Sequence, residues 1–359
     1  MFQKSAIAMT ITAALSSPVW AEGTVNFYNW SDYIADDTLP GFTEKTGISV
    51  QYDLFDSPET LETKMLTGNS GYDLIVPSSA QAERLIGIEA LAPLNKELIP
   101  NLANVDPGIL EQLAAFDEGN SHVVPYMLGT MGIGYNVDLI KERIPDAPVD
   151  SLDLLFKPEY AEKLADCGIG MIDVPSEVSV IVLNYLGLDP YSGKKADIAK
   201  AEETLMAVRD HFRYFRSTGY LDDLANGEMC AFLGYSIDVF QMVEPAAENG
   251  INLAYSIPVE GTVIFFDTLA IPADAENIEE AHALINHILD AEVSADLSNY
   301  LFSPSGNAAA LPLVDEEIRN DPSIMPTPEV MERLRSDKTV PQKTMRARTR
   351  MMTKVKTGI

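Results

Sequence analysis

Histidine occurs only four times in this 359-residue chain and cysteine twice, and 25 lysines and arginines face 54 aspartates and glutamates. Each scarcity excludes something. His282 and His287 stand five apart, so they miss the one-turn spacing by which two histidines on a helix grip zinc, and no HExxH occurs. No GxSxG elbow and no phosphate-binding Walker loop is present. Gly132-Ile133-Gly134 lacks the third glycine of a dinucleotide fingerprint. Ser192-Gly193-Lys194-Lys195 echoes an S-x-x-K pattern but falls in a polar turn, which is read as an exposed loop. An enzymatic reading is left without a mechanism. The formal net charge of −29 repels nucleic acid and favours cationic partners, although an acidic, soluble surface accounts for it equally well.

Long apolar runs are also missing. Residues 1–21, MFQKSAIAMTITAALSSPVWA, carry one cation (Lys4), an apolar stretch from Ala6 to Leu15 and the small-x-small ending Val19-Trp20-Ala21. That is the layout of a cleaved secretory leader, and the apolar part is shorter than the roughly 20 residues a spanning helix needs. The expectation is an exported protein cleaved after Ala21, with enough chain left for two domains. In an oxidising compartment, two cysteines suggest one disulfide between Cys167 and Cys230. Cations gather at the C-terminus, where Lys338, Lys343, Arg346, Arg348, Arg350, Lys354 and Lys356 meet a single acid from residue 337 onward. They predict a terminal helix packed against an acidic body, with a nucleic-acid or lipid patch as the alternative.

Hydrophobic spacing predicts strands alternating with helices. A short strand at 24–28 is followed by a helix over 37–46 that stops at Gly47, then a strand over 48–55. A helix over 58–67 precedes a buried strand at 72–77, which ends on proline. The alternation continues through 81–86, 123–127 and 132–135. Past Val149 the pattern turns helical, notably at 178–186 and 198–214. Strand-like runs return at 229–234, 252–257 and 263–271, and helices at 278–289 and 291–299. Such alternation argues for α/β architecture with parallel sheets. Strand-like crossovers at 125–135 and 257–262 would join two domains into a hinged clamshell, with ligands bound at the carboxyl ends of strands.

Four such strand ends mix carboxylates with rings: Trp30-Ser31-Asp32-Tyr33, Asp173 to Glu177, Tyr235 to Asp238, and Phe265-Phe266-Asp267. A diammonium ligand needs that mixture. Carboxylates form charge-assisted hydrogen bonds with each ammonium, and ring faces line the methylenes and attract cations. Taken singly, each has a duller explanation, since a tryptophan after a strand is usually core and an acid there is often a helix cap.

The ordered motifs YNWSDYIA (28–35), YDLFDS (52–57), YDLIVPSS (72–79), GIGYN (132–136), LNYLG (183–187), DLANGEMC (223–230) and RTRMMTKVKTG (348–358) carry a resemblance. The chain resembles the periplasmic putrescine/spermidine-binding proteins of polyamine ABC importers, most closely their putrescine-binding branch, across nearly all of its length after the leader. The resemblance implies a two-domain type II solute-binding clamshell with hinge crossovers and mixed, mainly parallel sheets. It divides the chain into a leader (1–21), a discontinuous first domain (22–128 and 259–313), a second domain (129–258) and a C-terminal helical segment (314–359). It further implies a periplasmic monomer that binds a polyamine, docks on an inner-membrane ABC permease, and uses no cofactor and no nucleic acid.

By the same resemblance, Trp30 and Tyr33 bracket the ligand, with Ser31 and Asp32 supplying polar contacts and Ser78 contributing from the first domain. Glu177 reaches one amine from the second domain, Asp238 and Asp267 grip the other, and Phe265 lines the channel. Cys167 and Cys230 match the family's disulfide. Three positions depart from the usual pattern: Tyr235 stands where a tryptophan is common, Ser303 where a tyrosine is, and Gln81 where a ring is. A more polar, roomier cage is the expectation, with spermidine, cadaverine, agmatine or a modified polyamine beside putrescine as ligands. A sensing module that reads the same closure is the alternative function.

Overall fold

A computed structural model describes residues 23–217, 219–336 and 338–359; the expected leader lies outside them. Ten strands are named in chain order: β1 Thr24–Trp30, β2 Ser49–Phe55, β3 Leu74–Ile75, β4 Val123–Asn136, β5 Ile169–Met171, β6 Phe212–Phe215, β7 Ala231–Tyr235, β8 Leu253–Ser256, β9 Val263–Ala270 and β10 Arg335–Ser336. They join in the order β2-β1-β3-β9-β4-β7-β5-β6, with β10 beside β9 and β8 beside β4. Five of the nine pairings among these strands are parallel, so the sheet is mixed with a parallel majority, as expected.

Local chemistry explains the first crossover. Val25 and Phe27 of β1 are fully buried between more exposed neighbours, the period-two pattern of a strand with one face on a core. The following helix, Thr38–Thr46, ends at Gly47, whose φ of 76° is open to glycine and whose N–H donates to the Thr43 carbonyl at 2.8 Å. The chain then returns parallel to β1 as β2, with Trp30 opposite Phe55. The next helix, Pro58–Leu66, starts on a Ser57 cap with proline in its first turn.

β4 is the strand that organises the molecule. Its first half, Val123–Thr130, pairs antiparallel with β9, and its second half, Met131–Asn136, pairs with β7 and β8. Two strands, 123–127 and 132–135, were expected on either side of Gly129; the structure joins them into one of 14 residues. The reason is tertiary. β9 supplies hydrogen-bond partners whatever the local propensity, the register slips once between Pro125 and Leu128, and Gly129 leaves room for Phe265. A Cβ at Gly129 would lie 2.2 Å from that ring. Each half of β4 serves a separate core. One gathers Phe27, Leu74, Val124 and Leu269, and the other gathers Ile133, Met171, Ile181 and Phe232.

One helix needs correction, and one loop needs a qualification. The helix expected over 198–214 is Lys195–Val208, and Phe212–Phe215 is a strand parallel to β5, because Phe-Arg-Tyr-Phe finds a sheet edge to complete. The turn at 192–195 is exposed at Gly193, Lys194 and Lys195 as expected, while Ser192 itself is buried and donates to Asp197 at 2.5 Å. The C-terminal helix approaches that turn closely: a Cβ on Gly193 would come within 2.5 Å of the Thr344 hydroxyl. This helix, Gln342–Thr357, packs on the helices Pro175–Tyr185 and Lys195–Val208.

The histidines on the helix Ile278–Ile288 are structural. His282 accepts the Asn95 N–H at 2.8 Å, which leaves Nδ1 to donate to the Ile278 carbonyl, and His287 lies 3.1 Å from the Thr38 carbonyl. Among the described residues no group of three or more His, Cys, Asp or Glu could hold a metal, and no helix is long and apolar enough to cross a membrane.

Cys167 and Cys230 are bridged, with Cα atoms 5.5 Å apart across a sequence separation of 63. The bond ties the loop before β5 to the residue before β7, both at the heart of the second core. Closing a loop of this size contributes about 4 kcal/mol in the chain-entropy model. Reduction without alkylation damage is therefore expected to lower the melting temperature by several degrees, measured by circular dichroism with and without reductant.

Candidate site between the two halves of the sheet

Sequence-expected residues lie at or just past the ends of β1 and β7 and, contrary to the strand-end expectation, inside β9, where Phe265 and Asp267 are interior positions of Val263–Ala270. Tyr33 follows β1 through a turn at Asp32, whose φ of 52° is the left-handed conformation that aspartate tolerates better than most residues. That turn points the Tyr33 hydroxyl at Asp267 of β9, to which it donates at 2.8 Å, with both residues buried. Ser78 bridges Asp267 across the backbone, and its Oγ caps the helix Ser79–Gly87. Trp30 packs on Phe55, ring centroids 4.3 Å apart, and its Nε1 is buried with no protein acceptor among the described residues. Ser31 is exposed and its N–H donates to the Phe55 carbonyl at 3.2 Å.

From the other half of the sheet, Tyr235 at the end of β7 donates to Glu177 at 2.8 Å and meets Phe265 edge-on, with centroids 5.5 Å apart. Asp238, in the first turn of the helix Ser236–Gln241, accepts a hydrogen bond from Tyr220. The far end of that helix reaches back across: Gln241 Nε2 donates to the Asp32 carbonyl at 3.2 Å. Three carboxylates, Asp267, Asp238 and Glu177, thus each carry a tyrosine hydroxyl.

Two departures from the family pattern have hydrogen-bonding duties inside the fold. Gln81 accepts from the Ser78 N–H at 3.1 Å and donates to the Pro58 carbonyl at 3.0 Å, a capping box with Ser78. Ser303 is buried and donates to the Leu128 carbonyl. Tyr220 and Phe55 are the residues that sequence reasoning missed. Tyr220 lies 18 positions from Asp238 and stacks on Phe232 with ring centroids 3.9 Å apart, so its only sequence signal is an aromatic after Gly219.

Comparisons with known proteins bear on this arrangement. The family model for bacterial extracellular solute-binding proteins matches residues 40–327. This chain belongs to that family. Among its relatives, the putrescine-binding periplasmic protein SpuD of Pseudomonas aeruginosa is 44% identical over 99% of both chains. The putrescine-binding periplasmic protein PotF of Escherichia coli is 46% identical over 93% of this chain and 92% of its own. Among solved structures, the spermidine/putrescine ABC transporter substrate-binding protein PotD of Streptococcus pneumoniae superposes with a TM-score of 0.81 at 29% identity, covering 93% of this chain and 99% of that one. The family is one of binding proteins, not enzymes, and its fold is the one described above.

The electrostatics of this solute-binding protein sharpen the picture. Burial pushes the Asp267 carboxyl up to about 7, against the opposing pull of the Tyr33 hydroxyl. Asp238 is pushed up to about 6, chiefly by burial, with the nearby Asp32 charge adding to the rise and the Tyr220 hydroxyl opposing it. Tyr33, Tyr220 and Tyr235 are all held well above the usual phenol range, first by burial and then by their carboxylate neighbours. They remain neutral donors at any physiological pH. Among the described residues no lysine, arginine or histidine pairs with Asp238 or Asp267. Carboxylates recessed in this way are costly unless a cation joins them. Asp238 and Asp267 are thus two buried carboxylates whose hydrogen bonds come from tyrosine hydroxyls.

Proposed function

We propose that this protein captures a polyamine, putrescine first, in the cleft between the two halves of its sheet and delivers it to the membrane permease of an ABC importer. The observation that carries the reading is the pair Asp238 and Asp267, both raised by burial and both without a cationic partner among the described residues. A terminal ammonium has three donors and a compact charge, which suits two carboxylates that each already hold one tyrosine hydroxyl. Glu177 takes the other amine, and Trp30, Tyr33, Tyr235 and Phe265 line the methylenes between, with Ser31, Asp32, Ser78, Gln81 and Ser303 completing the surroundings. The names of the relatives, putrescine-binding in two cases, agree with this chemistry.

The same reading has the leader removed after Ala21, a monomer working in the periplasm, and no role for nucleic acid. It sets the domain boundaries near 128/129 and 258/259, where β4 passes between cores and the chain enters β9, with 314–359 as a C-terminal segment. Isothermal calorimetry of the mature protein against putrescine, cadaverine, agmatine, spermidine and 1-aminobutane tests it. Saturable one-to-one binding of a polyamine is expected, with the monoamine far weaker. Equal binding of the monoamine, or no binding of any polyamine, would overturn it.

A further inference from the structure

Glu177 lies in the first turn of the helix Pro175–Tyr185. Residues 173–177 are half-buried, and the helix Pro175–Tyr185 begins on Val174 with no side-chain cap. The restraint comes from the far end of the chain. Arg348, on the C-terminal helix, is fully buried and donates through Nη1 to the Ser176 carbonyl at 3.3 Å and through Nη2 to the Pro190 carbonyl at 2.9 Å. At the penultimate position of that helix, Lys356 forms an ion pair with Asp173. The helix is itself pinned: Arg209 donates through Nε to the Val355 carbonyl and through Nη2 to the Lys356 carbonyl, both at 3.1 Å. A third tie reaches the same turn, because the Asp173 N–H donates to Ser217 Oγ at 3.1 Å.

We propose that the C-terminal helix is a strap that positions Glu177, with Arg348 and Lys356 acting through the turn at 173–177 to set ligand affinity. The inference rests on the polyamine reading, in which Glu177 meets one amine. The rigid fork of an arginine suits this task, since two donors in fixed geometry hold two carbonyls from different segments at once. An exposed lysine paired to a half-buried carboxylate near the surface adds little to global stability. Its effect is local, because a carboxylate must be held within about half an ångström of its productive position by the groups around it. Neither residue touches the ligand, so both are positioning residues.

The test is a double-mutant cycle on the full mature protein with putrescine as probe. Lys356→Met, at a half-exposed side chain, is expected to leave the melting temperature within a degree or two while weakening putrescine binding about three- to tenfold. In a Glu177→Gln background the same substitution is expected to change affinity less than twofold, because the group it positions no longer attracts the amine. The charge-reversed pair Asp173→Lys with Lys356→Asp is expected to recover most of the lost affinity. Arg348→Lys, which keeps the charge but loses the fork, should follow the same pattern. Wild-type affinity in Lys356→Met, or an equal loss with and without Glu177, would overturn the strap while leaving the polyamine reading intact. Failure of the unmodified protein to bind putrescine or any other polyamine would overturn that reading, and the strap with it.

Discussion

Replacing Asp267 by asparagine is expected to weaken putrescine binding by about 2–5 kcal/mol, roughly 30- to several-thousand-fold, with Asp238→Asn in the same range. Asparagine keeps the shape and still accepts a tyrosine hydroxyl, so Tyr33 at Asp267 and Tyr220 at Asp238 keep their partners and the local fold is preserved. What is lost is the charge that a desolvated ammonium requires, and an unpaired charge in a recess is the expensive outcome. The unliganded protein should not lose stability by this change, because burial already disfavours both carboxylates. Calorimetry gives the affinity and a thermal melt controls for folding. Affinity within threefold of wild type in both variants would remove these residues from the site.

Affinity for putrescine is expected to rise by up to about three orders of magnitude between pH 5 and pH 8, with most of the gain complete near pH 7. The sign follows from the direction of the shifts. In the unliganded protein Asp267 titrates at about 7 and Asp238 at about 6, both above the ordinary 3.8. Below those values each holds a proton, the ammonium needs the carboxylate, and binding must expel the proton. The groups facing them are Tyr33, Tyr220 and Tyr235, which stay neutral, and Asp32, whose charge lifts Asp238 further. Titrations in buffers of different ionisation enthalpy should report more than one proton released per ligand at pH 6 and far less than one at pH 8. For the unliganded fold, a carboxyl raised in the folded state withdraws stability as pH climbs from its unfolded value near 4 towards 7, and saturating ligand should erase that decline. A flat affinity from pH 5 to pH 8 would contradict the burial of both groups.

These two predictions depend on unequal contributions from sequence and structure. Individual elements of the first half were legible because each carries its own local chemistry. Gly47 ends a helix with a left-handed residue, Ser57 and Pro58 start one, and β1 begins with buried Val25 and Phe27 flanking a more exposed Asn26. The elements misjudged were those whose partners lie far away. The runs 123–127 and 132–135 read as separate strands until β9 pairs along them, and Phe212–Phe215 continues a helical pattern until β5 offers an edge. Carboxylates and rings at strand ends could be singled out from their type and position. Their partners could not, because Tyr33 and Asp267 lie 234 positions apart and Tyr235 and Glu177 lie 58 apart.

By itself, then, the sequence determined the class of the molecule. Strand–helix alternation, an excess of acids, paired cysteines and the lack of catalytic motifs are local or compositional properties, and they survive without knowledge of any contact. Tertiary structure alone decided which tyrosine each acid holds and how deeply each is buried. It also decided that Arg348 and Lys356, read in sequence only as cations of a terminal helix packed on the body, reach the turn that presents Glu177. The physical reason is that desolvation and hydrogen-bond geometry depend on neighbours brought together by folding, and those neighbours leave no periodic trace along the chain.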